Sequence, residues 1–136
     1  MVSIVLTLLS AARPSKTDNF QVFTRSHNRA QEIRAEMNSA EFTASVADEA
    51  PRIELSAPLA ALWWDAKGDW ARAHALVDEL ETVDGMAVHA YLHRKEGSAS
   101  NADYWYGRAG RAYHRPALEA EWAALVEGLL SSTGRS

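Results

Sequence analysis

Three histidines carry the chain's best-placed chemistry. His89 and His93 stand four residues apart, so a helix over that stretch puts both imidazoles on one face, with Glu96 three residues later on nearly the same stripe. Two imidazoles and a carboxylate on one face can hold zinc or iron, or move a proton. His74, directly after the small Ala73, can reach the same seam from a neighbouring helix as a third ligand. Ala90 follows His89 where an HExxH metalloprotease needs its glutamate, so that reaction class is absent. Histidines at such inward positions also serve as plain packing residues, and that is the reading adopted, with no metal or cofactor expected. The alternative is a small metal- or ligand-binding enzyme built on His74, His89, His93 and Glu96.

Other enzyme signatures fail more simply. The sequence holds no GxGxxG, no phosphate-cradling loop ending in Lys-Ser or Lys-Thr, and no GxSxG elbow. Ser98 and Ser100 lie in the turn after a helix, where serine is a cap before it is a nucleophile. Tyr104-Trp105-Tyr106 points to different faces of a helix, which reads as core plus rim.

The elements that must position these side chains follow from start and stop signals. Ser56, with Pro58 in the first turn, opens a helix through Leu59, Leu62, Trp63 and Ala66 that stops at Gly68. Asp69 caps a second, with Trp70, Ala73, Val77 and Leu80 at helical spacing. Asp84 is expected to cap a third that Gly97 ends, and Ser100 a fourth that Gly110 ends. Pro116 opens a fifth, with Glu119 and Glu121 in its first turn, where negative charge suits the helix dipole. No segment alternates with period two, so the fold class is all-α.

Gly68 and Gly97 each sit between two such helices, 29 residues apart. From Gly97, offsets of 5, 9 and 12 give Ala102, Tyr106 and Ala109, with Pro116 near a closing-proline position; from Gly68 they give Ala73, Val77 and Leu80. This pattern resembles the tetratricopeptide family, although 29 is shorter than that family's repeat of about 34. The resemblance implies two helical hairpins plus a C-terminal capping helix. Trp63-Trp64, Gly68-Asp69-Trp70, Ala73-His74, the run from His89 to Gly97 and that from Asn101 to Tyr106 are similar to short uncharacterised bacterial proteins, a likeness that implies no activity.

A tetratricopeptide-like hairpin array implies a protein or peptide partner on the face made by the first helix of each hairpin. That face would present Leu62, Asp65, Tyr91, Arg94 and Lys95, with the adjacent cations receiving an acidic group. The function expected is therefore a non-enzymatic interaction module. Two repeats leave an outer face without a stacking neighbour. The stripe Leu118, Trp122, Leu125 and Leu129 either covers it within the chain or pairs with its copy, and the homodimer is the expectation.

Composition bounds the rest. The 136 residues suit one domain, taken as 56–131, with 1–55 a poorly ordered or satellite segment and 132–136 a disordered tail. A helix is expected over His27 to Ser39. Net charge is −4, divided as −1 over 1–55, −3 over 56–97 and 0 over 98–136. No basic surface stands out, which argues against nucleic acid. With no cysteine there is neither disulfide nor thiolate metal site. Val2 to Leu9, followed by Ser10-Ala11-Ala12, looks like a signal segment, yet no basic residue precedes it and it is too short to cross a bilayer. A cytoplasmic protein with no membrane partner is expected, export through residues 1–12 being the alternative.

Overall fold

Helix starts are set by which side chain meets the unpaired backbone amides of the first turn. The computed structural model describes residues 37–111 and 114–135. Within them lie α1 (Ser39–Ser45), α2 (Ala57–Ala66), α3 (Trp70–Val77), α4 (Val83–Glu96), α5 (Ala99–Ala109) and α6 (Leu118–Arg135). There is no strand among the described residues, so they are all-α, as the sequence pattern predicts. Ser56 caps α2, and Asp69 caps α3 by accepting from the Arg72 amide at 3.0 Å. Gly97 and Gly110 end α4 and α5 with φ of 95° and 70°, a left-handed backbone that glycine adopts without a Cβ penalty.

Two starts differ from expectation. Thr82, rather than Asp84, caps α4, accepting from the Gly85 amide at 3.1 Å, while Asp84 sits in the first turn and complements the dipole. Ser98, rather than Ser100, precedes α5, and its hydroxyl accepts from the Asn101 side chain at 2.8 Å instead of from the backbone. The turn at Gly97 leads straight into α5 as the turn at Gly68 leads into α3, so Ser98 is the counterpart of Asp69. Of the helix expected over His27 to Ser39, positions 27–36 lie outside the described residues. Met37 and Asn38 are not helical, and Asn38 instead starts α1 in a capping box with Glu41.

α2 with α3, and α4 with α5, form two hairpins; α4 also packs on α2 and α3, and α6 lies against α1, α2 and α4. Leu59, Leu62 and Trp63 of α2, Val77 of α3, Val88 and Leu92 of α4 and Val126 of α6 share one core. Phe42 of α1 joins that core fully buried, its ring 6.0 Å from that of Trp122, so residues outside 56–131 contribute to it. Three indole N–H groups tie the helices together: Trp63 donates to Ser45 Oγ at 3.0 Å, Trp70 to the Leu92 carbonyl at 2.9 Å and Trp122 to the Leu62 carbonyl at 3.0 Å. Each apolar ring is thereby buried without stranding its polar atom.

α6 uses its apolar stripe inside the chain. Leu129 is buried, and Leu118, Trp122 and Leu125 pack on the core. That use of the stripe favours a single chain, and light scattering at micromolar concentration should give one chain mass, 15.0 kDa. Twice that mass would show a dimer built elsewhere. The helix continues to Arg135, through most of the tail expected at 132–136. At the α4 start, an added Cβ on Gly85 would lie 2.7 Å from Leu80 Cβ and 2.9 Å from Thr82 Oγ1. Gly85→Ala should therefore destabilise the domain by about 1 to 3 kcal/mol in urea unfolding, although alanine is the better helix former.

Candidate metal centre

α3 supplies His74 and α4 supplies His89 and His93, and the α3–α4 contact brings all three rings together. Ala73, fully buried beside His74, keeps that seam narrow. His74 Nε2 lies 3.1 Å from His89 Nε2, which lies 3.0 Å from His93 Nε2. Donor atoms of the three residues fall within 4.8 Å of one another. On the outer side, His93 Nδ1 meets Glu96 Oε2 at 2.8 Å.

The aromatic surroundings hold the rings in place. His74 stacks on Trp70 at 4.8 Å between centroids and 10° between planes, and His89 stacks on Trp105 of α5 at 4.2 Å and 29°. His89 is the buried member, at 3 % exposure. Burial first, then the neighbouring His93 and His74, with Asp78 opposing, lower its pKa to about 4, so at neutral pH it is uncharged.

Proton accounting shows why this cluster differs from ordinary packing. A neutral imidazole offers one N–H and one lone pair. Glu96 is best served by an N–H on His93 Nδ1, which leaves a lone pair on His93 Nε2. His89 Nε2 faces two nitrogens at hydrogen-bond distance and, carrying one proton, can donate to only one of them. If it carries none, His74 and His93 must both donate, and His93 must then be an imidazolium to serve Glu96 as well. A cation held by the three imidazoles removes the conflict. Nitrogens about 2.0 to 2.1 Å from a tetrahedral ion lie roughly 3.3 Å apart, near the two short separations. The wider donor spread of 4.8 Å must close by a small ring movement on binding. His89 Nδ1 is buried without a hydrogen-bond partner in either case.

Sequence spacing finds His74, His89, His93 and Glu96, and the structure brings all four together. It does not find the two flanking indoles as part of the site. Trp70 had a signal, four residues before His74 on the same helix; Trp105 had none, since its approach depends on the α4–α5 crossing.

Of the five residues expected to face a partner, three are interior, Arg94 is half-buried and Lys95 is exposed. Leu62 and Tyr91 are buried, and Asp65, at 3 % exposure, accepts from the Tyr91 hydroxyl at 3.2 Å and from Lys95 Nζ at 2.9 Å. Arg94 donates to Glu121 at 2.6 Å and to the Pro116 carbonyl at 2.7 Å. α6 packs against part of this face, through Trp122 on the Leu62 carbonyl and Glu121 on Arg94. Burial first, and then the Asp65 carboxylate, push the Tyr91 phenol above its ordinary range. Tyr106 is raised by burial and by its hydrogen bond to Glu121.

No family model matches this chain, and no curated protein or solved structure matches it significantly. No helix among the described residues is long and apolar enough to cross a membrane.

Proposed function

We propose that this chain binds one transition-metal ion through His74, His89 and His93, with Glu96 orienting His93. The observation that carries the proposal is the convergence of three Nε2 atoms, two pairs at 3.0 and 3.1 Å, from two helices. Three neutral nitrogens suit zinc or another late first-row ion better than magnesium or calcium, which prefer oxygen. Glu96 fixes the His93 tautomer and raises its basicity, as outer carboxylates do at histidine metal sites. The stacked indoles restrict His74 and His89 and keep bulk water from their rings. Three protein ligands leave a tetrahedral ion one further position, so the group supplies Lewis acidity or an activated water when bound. A reading as a peptide-binding repeat has less support, because Leu62 and Tyr91 are interior residues.

The test is stoichiometric. Protein stripped with chelator and titrated with cobalt(II) should develop the visible absorption of a four-coordinate site, saturating at one equivalent. His74→Gln should abolish that absorption while keeping the helical circular dichroism spectrum. A saturable signal unchanged by this substitution would refute the assignment.

A further inference from the structure

A cleft of about 430 Å³ lies between α4, α5, α6 and the segment that leads into α6, and no histidine of the metal cluster lines it. Its volume suits a small molecule. Ala87, Ala124 and Leu125 make an apolar floor, together with the bare backbone of Gly128, where an added Cβ would meet nothing within 4 Å. Glycine inside a helix is unfavourable relative to alanine, and here it leaves the cleft open.

Arg111 and Arg115 line the cleft with Asp84 and Glu121. The Arg115 guanidinium lies over the Tyr106 ring, 3.5 Å from its centroid, and its Nη1 reaches only the His114 carbonyl at 3.4 Å. Its Nε and Nη2 are buried and have no hydrogen-bond partner. These two atoms form the side edge of the guanidinium, the edge that a carboxylate engages with both oxygens. Arg111 pairs loosely with Asp84, at 4.0 Å. Glu121 does not serve Arg115, because its two oxygens are taken by Arg94 and by the Tyr106 hydroxyl, each at 2.6 Å. A guanidinium edge withdrawn from water without an acceptor is costly, and an incoming acid removes that cost.

We propose that this cleft binds a small organic acid, its carboxylate on the Nε and Nη2 edge of Arg115 and its apolar body on Ala87, Ala124 and Leu125. Phosphate fits less well, since it has no apolar body for that floor. Both donors are covered in the free chain, so entry slides the guanidinium along the Tyr106 ring, and the ring resonances report it. The inference is independent of the metal centre.

Titration of the isotope-labelled full chain with hexanoate and benzoate, followed by NMR, tests the site. At least one acid should shift the Gly128 and Ala87 amides and the Tyr106 ring saturably, while 1-hexanol and inorganic phosphate bind at least tenfold more weakly. Arg115→Gln should weaken the acid at least tenfold. Gly128→Leu, which fills the cleft without removing a charge, should abolish binding and leave the other resonances in place. Equal binding of hexanol would mean an apolar crevice only; tighter phosphate would mean a different ligand class. Either result overturns the proposal, as would two inert acids or an unaffected Arg115→Gln.

Discussion

Zinc added to the metal-free protein should raise its thermal midpoint by about 15 °C or more. A ligand at a thousandfold its Kd stabilises the folded state by about 4 kcal/mol, and in a domain near 100 residues each kcal/mol is worth about 4 °C or more. His74→Gln should remove the shift, and because His74 is only partly buried the variant should fold without metal. Glu96→Gln should keep the shift but weaken zinc affinity by about 10- to 100-fold, the usual effect of losing an outer-shell carboxylate. Acid should reverse the stabilisation. In the metal-free protein His89 has a folded pKa of about 4 against 6.5 in the open chain, so as pH falls through that window the unfolded state takes up a proton that the folded state refuses. Stability is undiminished above about 6.5 and falls by about 2 to 3 kcal/mol by pH 4. Protons also compete with zinc for the imidazole lone pairs, so acid releases the metal. A zinc-independent midpoint at neutral pH would defeat the metal reading.

What the sequence reveals of this site is local. The step of four from His89 to His93, and of three more to Glu96, places those groups on one stripe wherever α4 forms. The hairpin glycines similarly announce the turns, because a left-handed backbone at Gly97 and Gly110 excludes most other residues. Tertiary packing is where the pattern falls silent. Spacing allows His74 to approach, but its distance from His89 depends on how α3 leans on α4, and Trp105 reaches the cluster only through the α4–α5 crossing. The same limit explains the misplaced partner surface. Leu62, Asp65, Tyr91, Arg94 and Lys95 occupy hairpin positions that are open in an extended array, but here Leu62, Asp65 and Tyr91 are interior and α6 engages Leu62 and Arg94, leaving Lys95 exposed. Phe42 is a further case: a lone aromatic in a polar stretch shows no periodicity, yet it fills the space beside Trp122. Where two capping hydroxyls stood two residues apart, at the start of α5, tight closure of the preceding turn selected the earlier one.

Asp65→Ala should destabilise the domain by about 1 to 3 kcal/mol in urea unfolding, the cost of one buried polar group left without its partner. The carboxylate is almost wholly buried between α2 and α4, and it is the acceptor for both the Tyr91 hydroxyl and Lys95 Nζ. Removing it strands a buried phenol, while the exposed Lys95 ammonium turns to water, so the cost is that of one unsatisfied hydroxyl rather than of a lost surface ion pair. Asp65→Asn should cost less, about 1 to 2 kcal/mol, since the amide oxygen still accepts from Tyr91 while the Lys95 side chain, 41 % exposed, turns to water. Lys95→Met should cost more than either, because it leaves the carboxylate buried with only the phenol to stabilise its charge. That order separates an interior network from a docking face. If Asp65 and Lys95 instead waited for a partner's side chain, all three substitutions would leave the urea midpoint unchanged, and a uniform absence of effect would reject the internal role assigned to them.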